Sequence, residues 1–264
     1  MAGPHAGTVT GLWCYPVKSM QGSALDRVMI GPAGVEGDRQ WGVVDTETGK
    51  VLSAKRWPAL LDARAEHTGA GGAVRITLPG GQACESGDPA ADEMLSAWLD
   101  HPVRLARPPA EHGTPYELTV DPADDTSDTW DFATPPGSFV DLAHVHLLIT
   151  ASLAAIAAAY PDGDWDVRRF RPTALVDIPD AGGFVEDGWV GSRVRLGDAT
   201  VEVFMPTPRC AMPGRAQAAN GLRRDKRILT TLRDSHLNNL GAYASVVTPG
   251  SVAVGDPVIA EPST

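Results

Sequence analysis

A chain of 264 residues, 43% hydrophobic and 21% charged, is ordinary for a soluble globular protein of one large or two small domains. Its net charge of −11 excludes a general nucleic-acid binder and a protein that rests on anionic lipid. Three widely spaced cysteines, Cys14, Cys84 and Cys210, form no CxxC pair, so neither a disulfide framework nor an all-cysteine metal site is expected.

Met1 to Thr10 carry no basic or apolar leader region, so no secretory signal is expected. Val9 to Val17 opens the chain with an apolar stretch broken by Pro16. Val28 to Ile30 and Trp41 to Val44 read as short strands, beside the turn signals Gly31-Pro32 and Thr48-Gly49. Val74 to Leu78 and Val103 to Leu105 add two more. Between them Met94, Leu95, Trp98 and Leu99 fall at helical spacing behind the start signal Asp88-Pro89. Residues 7–105 thus read as a small β-rich unit with one helix. Residues 106–137 are polar and punctuated by Pro108-Pro109, Asp121-Pro122, Asp124-Asp125 and Pro135-Pro136, and read as a connecting segment.

The second half, residues 138–262, begins near the most apolar run, Leu147 to Tyr160. That run is about two-thirds of a bilayer span, so a core helix is expected and no membrane segment. Its clearest part is the alanine-rich Ser152 to Tyr160, stopped by Pro161. Strands follow at Ala174 to Ile178, Val194 to Leu196, Val201 to Met205, Ala244 to Val247 and Val258 to Ile259, with a helix at Ile228 to Leu232. The fold class is mainly β with a few helices, in barrel-like units. A reducing cytoplasm is the expected location.

Four segments carry residues suited to chemistry. In Tyr15-Pro16-Val17-Lys18-Ser19 an ammonium and a hydroxyl stand side by side at a strand end, a pairing that suits an oxyanion; a solvated surface lysine is the plain alternative. Arg39, in Gly37-Asp38-Arg39-Gln40-Trp41, reads on its own as half of an Asp–Arg pair. Arg168-Arg169-Phe170-Arg171-Pro172-Thr173 packs three guanidinium groups into four residues. If that stretch is extended, Arg169, Arg171 and Thr173 share one face. Their repulsion calls for an anion, or for a structural network with Asp164, Asp166, Glu186 and Asp187. Last, Cys210 follows Val201 to Met205, with Pro206 and Pro208 expected to turn the chain before the thiol and Arg209 beside it to favour thiolate. It is a soft metal ligand, a nucleophile, a sulfur carrier or a buried structural cysteine. Thiolate and cations together fit a phosphorylated cofactor carrying a thiophilic metal, of which molybdenum on a pterin dithiolene is one.

In this order the segments resemble the MOSC superfamily, named for the C-terminal domain of molybdenum-cofactor sulfurases. Tyr15 to Ser19 and Asp38-Arg39-Gln40-Trp41 resemble its companion N-terminal β-barrel domain. Phe139-Val140-Asp141, His146 to Leu153, Phe170-Arg171-Pro172, Glu186-Asp187-Gly188-Trp189, Pro208-Arg209-Cys210, Leu240-Gly241-Ala242-Tyr243 and Val254 to Val258 resemble the MOSC domain itself. The two-part layout resembles the amidoxime-reducing branch. That resemblance implies a molybdenum cofactor with Cys210 as the thiolate on the metal and Asp141 near it. Lys18, Ser19, Arg39, Arg171, Thr173 and Arg209 would hold the pterin and its phosphate, with Tyr243 close by. Pyridoxal phosphate binding comes with the family as a further term. The implied reaction reduces N-hydroxylated compounds such as amidoximes and hydroxylamines, with electrons from a separate donor protein. Thr173 stands where such proteins commonly carry Asn, Pro208 where Ser is frequent, and Ala211-Met212-Pro213 in place of a Thr-rich stretch. Two other roles use the same thiol: sulfur transfer through a Cys210 persulfide, and non-catalytic carriage of the cofactor.

Overall fold

The computed structural model describes residues 5–69, 72–121 and 127–260. Residues 1–4 of the stretch read for a leader, Pro122 and Asp124-Asp125 of the connecting segment, and the last four residues lie outside them. Seven strands close a barrel in the order Ala174–Asp177, Val145–Ile149, Asn239–Thr248, Ala199–Pro208, Arg193–Leu196, Pro257–Ala260 and His5–Cys14, which pairs back to Ala174–Asp177. The first strand of the chain therefore completes a barrel built otherwise from the second half. Alternate residues such as Val9, Leu147, Val176, Val194, Leu196, Val201, Val203 and Ala244 fill its interior.

Val145–Ile149 and Ala174–Asp177 run parallel, joined through helix α2 (Thr150–Ala159). The apolar run at Leu147 is thus not one core helix. It is a strand that passes directly into a helix at Thr150, and all five strand residues are buried. A strand covered on both faces loses its period-2 signal and reads like a buried helix.

The first half makes smaller sheets: Gly42–Asp45 with Val103–Ala106, and Arg64–His67, Val74–Thr77 and Ala83–Glu85 together. Leu95 and Leu99 of α1 (Ala91–Leu99) complete a second core with Val17, Met20, Leu60, Leu61 and Ile76. Arg27–Gly31 pairs with Gly250–Ala253, tying the halves together. Within residues 106–137 the chain forms a hairpin, Pro115–Thr119 with Thr129–Ala133, where composition alone suggested only a connection. Among the described residues no helix is long and apolar enough to cross a membrane.

Two local expectations need correction. Pro206 and Pro208 do not turn the chain: the strand runs through both to Pro208, paired with Ala242 and Asn239. The neighbouring strand Arg193–Leu196 has already ended its pairing at Glu202, so no ladder bond is lost on that side. Register shifts beside each proline absorb the rest. The chain instead bends at Ala211, after the thiol, into a 3₁₀ turn at Met212–Gly214. The arginine-rich stretch is not extended either. Val167–Arg169 is a 3₁₀ turn started by Asp166, and Arg171 has φ 52°.

Candidate cofactor site

A cavity of about 380 Å³ lies between the halves. Lys18, Ser19, Arg39, Asp141, Arg171, Thr173, Arg209, Cys210 and Tyr243, all singled out in the sequence, line it together. Lys18, Ser19 and Arg39 come from loops after the first strand and before Gly42–Asp45. Thr173 and Arg171 precede a barrel strand, Arg209 and Cys210 follow one, and Tyr243 lies within one. Cys210 also packs against the first-half core, so the thiol sits at the junction.

The backbone is strained where it meets the cavity. Ser19, Arg39 and Arg171 have φ of 68°, 46° and 52°, a left-handed region that costs about 1–2 kcal/mol per non-glycine residue. Each has a fixing partner. The Ser19 hydroxyl accepts from Ala54 N at 2.9 Å. Arg39 pairs with Asp38, which also accepts from Tyr15 N. The guanidiniums of Arg39 and Arg171 lie 4.5 and 4.1 Å from the centre of the buried Tyr15 ring.

The three clustered arginines divide their labour. Arg168 pairs with Asp166. Arg169 is buried and donates to the carbonyls of Asp164, Pro213, Arg215 and Arg223, with Asp164 as its ion partner. Glu186 and Asp187 serve elsewhere: Ser152 and Gly241 N donate to Glu186, and Asp187 bonds His236. Arg171 is outside this network. Its Nη1 donates to Met20 O at 2.7 Å, while its buried Nη2 has no hydrogen-bond partner among the described residues. Burial, then the like charge of Arg39, pushes its pKa down. Arg209 donates from Nη2 to Phe170 O at 2.9 Å and points Nη1 at His146 Nε2, but its buried Nε is also unpartnered.

Residues the sequence reading passed over complete the site. Lys55 is 1% exposed, and its ammonium and that of Lys18 share one carboxylate, Asp141. Both ammoniums sit 4.6 Å from the Tyr116 ring centre. Nothing in Leu52-Ser53-Ala54-Lys55 marks that lysine as buried. His146, kept neutral by burial and by Arg209, accepts from that arginine and faces Tyr243 edge-on. Gly241 makes this possible: with φ 87°, a Cβ there would meet His146 Nε2 and Leu147 O at 2.5 Å. Asn238, left-handed after α3 (Arg227–His236), donates to Arg209 O at 2.6 Å. Asn is a common residue at such a helix end, so its turn was legible but its role was not. The Thr173 hydroxyl oxygen accepts from His146 N.

Burial drives the Lys18 pKa down to about 8, against the pull of Asp141 upward. Burial raises Asp141, but its two ammonium partners hold it well below the usual carboxylate range, so it stays ionised. The unfolded lysine keeps its proton to higher pH, so folding gains stability as pH rises from about 8 towards 10.5. Anion binding follows the opposite trend. Affinity of the cofactor-free protein for inorganic phosphate is expected to fall several-fold between pH 7 and 9.5 as Lys18 discharges. Calorimetry on the wild type and on Lys18→Arg checks this, because the guanidinium keeps its charge and flattens the profile.

Set against known families, residues 6–97 match the MOSC N-terminal beta barrel domain and residues 135–259 match the MOSC domain. The chain belongs to the MOSC-domain proteins. This MOSC protein is 28% identical to the molybdenum cofactor sulfurase of Danio rerio, over 78% of its own length but only 28% of the sulfurase. It is 25% identical to mitochondrial amidoxime reducing component 2 of Bos taurus, covering 96% of itself and 83% of that protein. Its fold is shared with the YUAD protein of Bacillus subtilis, at TM-score 0.52, 13% identity and full coverage of both chains. In MOSC terms Lys18, Ser19 and Arg39 come from the N-terminal barrel domain, and the other six sequence-selected residues from the MOSC domain.

Proposed function

We propose that the cavity holds a molybdenum cofactor and reduces N-hydroxylated compounds with electrons from a separate donor protein. The observation that carries this is a pair of buried, unpartnered guanidinium donors, Arg171 Nη2 and Arg209 Nε, in one cavity with a thiol. Of the six cationic side chains that line it, Arg39 pairs with Asp38, Arg169 with Asp164, and Lys18 and Lys55 share Asp141. Arg171 and Arg209 have no carboxylate at ion-pair distance among the described residues. Buried charge of one sign requires a counter-anion, and a phosphate accepting from a guanidinium supplies it. The donor set fits the group: cations for the phosphate, Cys210 for the soft metal. When bound, the cofactor supplies two-electron chemistry and an oxygen-accepting metal.

The chain's own residues do the rest. Arg171, Arg209 and Arg39 bind and orient the anion, and Ser19 retains a hydroxyl proton to donate. In the overall reaction the N–O bond breaks, two electrons and two protons enter, and an N–H compound and water leave. Lys18 is the proton donor at neutral pH. Asp141, ionised, aims its ammonium together with Phe139 O, which accepts at 2.8 Å. A positioned acid contributes roughly 10²–10⁴-fold to such steps.

Loaded protein and a chemical or protein electron donor are therefore expected to convert amidoximes or hydroxylamines to their reduced forms. Asp141→Asn is expected to lower kcat by roughly 10–100-fold while molybdenum content stays near wild type. A loaded, reducible protein inert toward several such compounds would instead support the carrier role.

A further inference from the structure

The hairpin over the cavity turns an apolar face towards it and a charged face away. Its strands pair Tyr116 with Phe132 and Leu118 with Trp130, so these four side chains share one face. That face lines the cavity. Glu117 and Asp131 lie on the other face and pair with Lys50. Among the described residues the two strands join no other sheet.

Only the inner end of this apolar face is covered. Tyr116 is 2% exposed, pinned beneath the ammoniums of Lys18 and Lys55, whereas Phe132 is 48% and Trp130 58% exposed. The rings of Trp130 and Phe132 meet edge-on at 6.0 Å, and Phe132 continues to Tyr116 at 6.5 Å. Leu142, on the same cavity and one residue beyond Asp141, is 51% exposed. The cavity thus has two chemistries, a cationic floor beside Cys210 and an open aromatic wall reaching outwards.

We infer that Trp130 and Phe132 are specificity-determining residues that bind the body of the substrate, selecting planar aromatic N-hydroxylated compounds over small aliphatic ones. The inference rests on the proposed reduction for the reactive group, but the wall's preference for an aryl body is measurable without turnover. An aryl ring set against the wall meets aromatic edges and faces, a geometry that favours ring–ring contact beyond simple burial. A methyl group offers no ring to set against the wall, so it forgoes that contact.

The test is calorimetric binding of benzamidoxime and acetamidoxime to the protein as purified, for the wild type, Trp130→Ala and Phe132→Ala. Molybdenum content, and KM and kcat where turnover occurs, are measured on the same preparations. Wild type is expected to bind the aryl compound about tenfold more tightly or better, and each variant to lose most of that preference. Metal content and acetamidoxime binding should not change. Equal binding of the two compounds by wild type would overturn the inference whatever the activity. So would loss of molybdenum in either variant, which would give the wall to the cofactor. Unchanged aryl binding with slower reduction by the donor protein would give it to the donor, and overturn the inference too. Absent turnover with the aryl preference intact would count against the reduction alone.

Discussion

Cys210→Ser is expected to strip molybdenum from the protein, lowering metal retention roughly 100-fold or more, beyond the 10–100-fold typical of residues that only support a ligand. A hydroxyl of similar size is a far poorer partner for a soft metal than a thiolate. The cationic residues that would grip the phosphate are untouched by this change, so pterin without metal is expected to remain partly bound. Cys14 and Cys84 supply the controls. Both are buried, and burial pushes the Cys14 thiol up to about 12 and raises that of Cys84. Neither lines the cavity. Cys14→Ala and Cys84→Ala should keep their molybdenum, read by elemental analysis beside protein concentration. Equal loss in all three variants would indicate unfolding and remove the special role of Cys210.

The second large effect separates two arginines two residues apart. Arg169→Met removes the donor to four backbone carbonyls and an ion partner in a side chain 1% exposed. Breaking such a buried charge network costs about 3–5 kcal/mol, a fall in Tm of roughly 10 °C for a chain this size. Arg171→Met removes one carbonyl bond, the contact with the Tyr15 ring and a charge that lacks a carboxylate partner. The lost bond costs about 1 kcal/mol, and relief of buried like charge offsets it. The cofactor-free variant should therefore melt within a few degrees of wild type while failing to hold cofactor. Arg171→Lys should also bind cofactor weakly, because an ammonium cannot reproduce the forked donor geometry. Differential scanning calorimetry and pterin content on the same samples read both effects. A large Tm loss in Arg171→Met with cofactor retained would reverse the assignment.

The sequence showed those residues whose meaning lies in short-range order. Lys18 and Ser19 at a strand end, Arg209-Cys210 after another, and the spacing of the helical apolar positions in α1 are local facts, and the structure places them as local facts require. Three things were hidden. Burial on both faces erased the strand at Val145–Ile149, because periodicity vanishes when no face is wet. The passage of a strand through Pro206 and Pro208 depended on where its neighbour stopped, a property of the partner and not of the prolines. Lys55 meets Asp141 across 86 residues and Lys18 meets it across 123, with Tyr116 packed against both ammoniums, so no motif could announce them. Arg169 and Arg171 show the same limit at closer quarters. They are chemically identical in sequence, and only the carbonyls around one and the empty donor of the other distinguish structure from site.

The central claim is that this cavity holds a molybdenum cofactor through Cys210 and its arginines. Molybdenum and pterin content of wild-type protein, purified from a host that makes the cofactor, tests it most directly. The two are expected in equal and stoichiometric amounts, with the metal's X-ray absorption showing a protein sulfur ligand in the wild type and the metal itself largely lost from Cys210→Ser. Protein free of molybdenum and pterin, but carrying a cyanide-labile sulfur on Cys210, would contradict it and leave sulfur transfer as the function of the thiol.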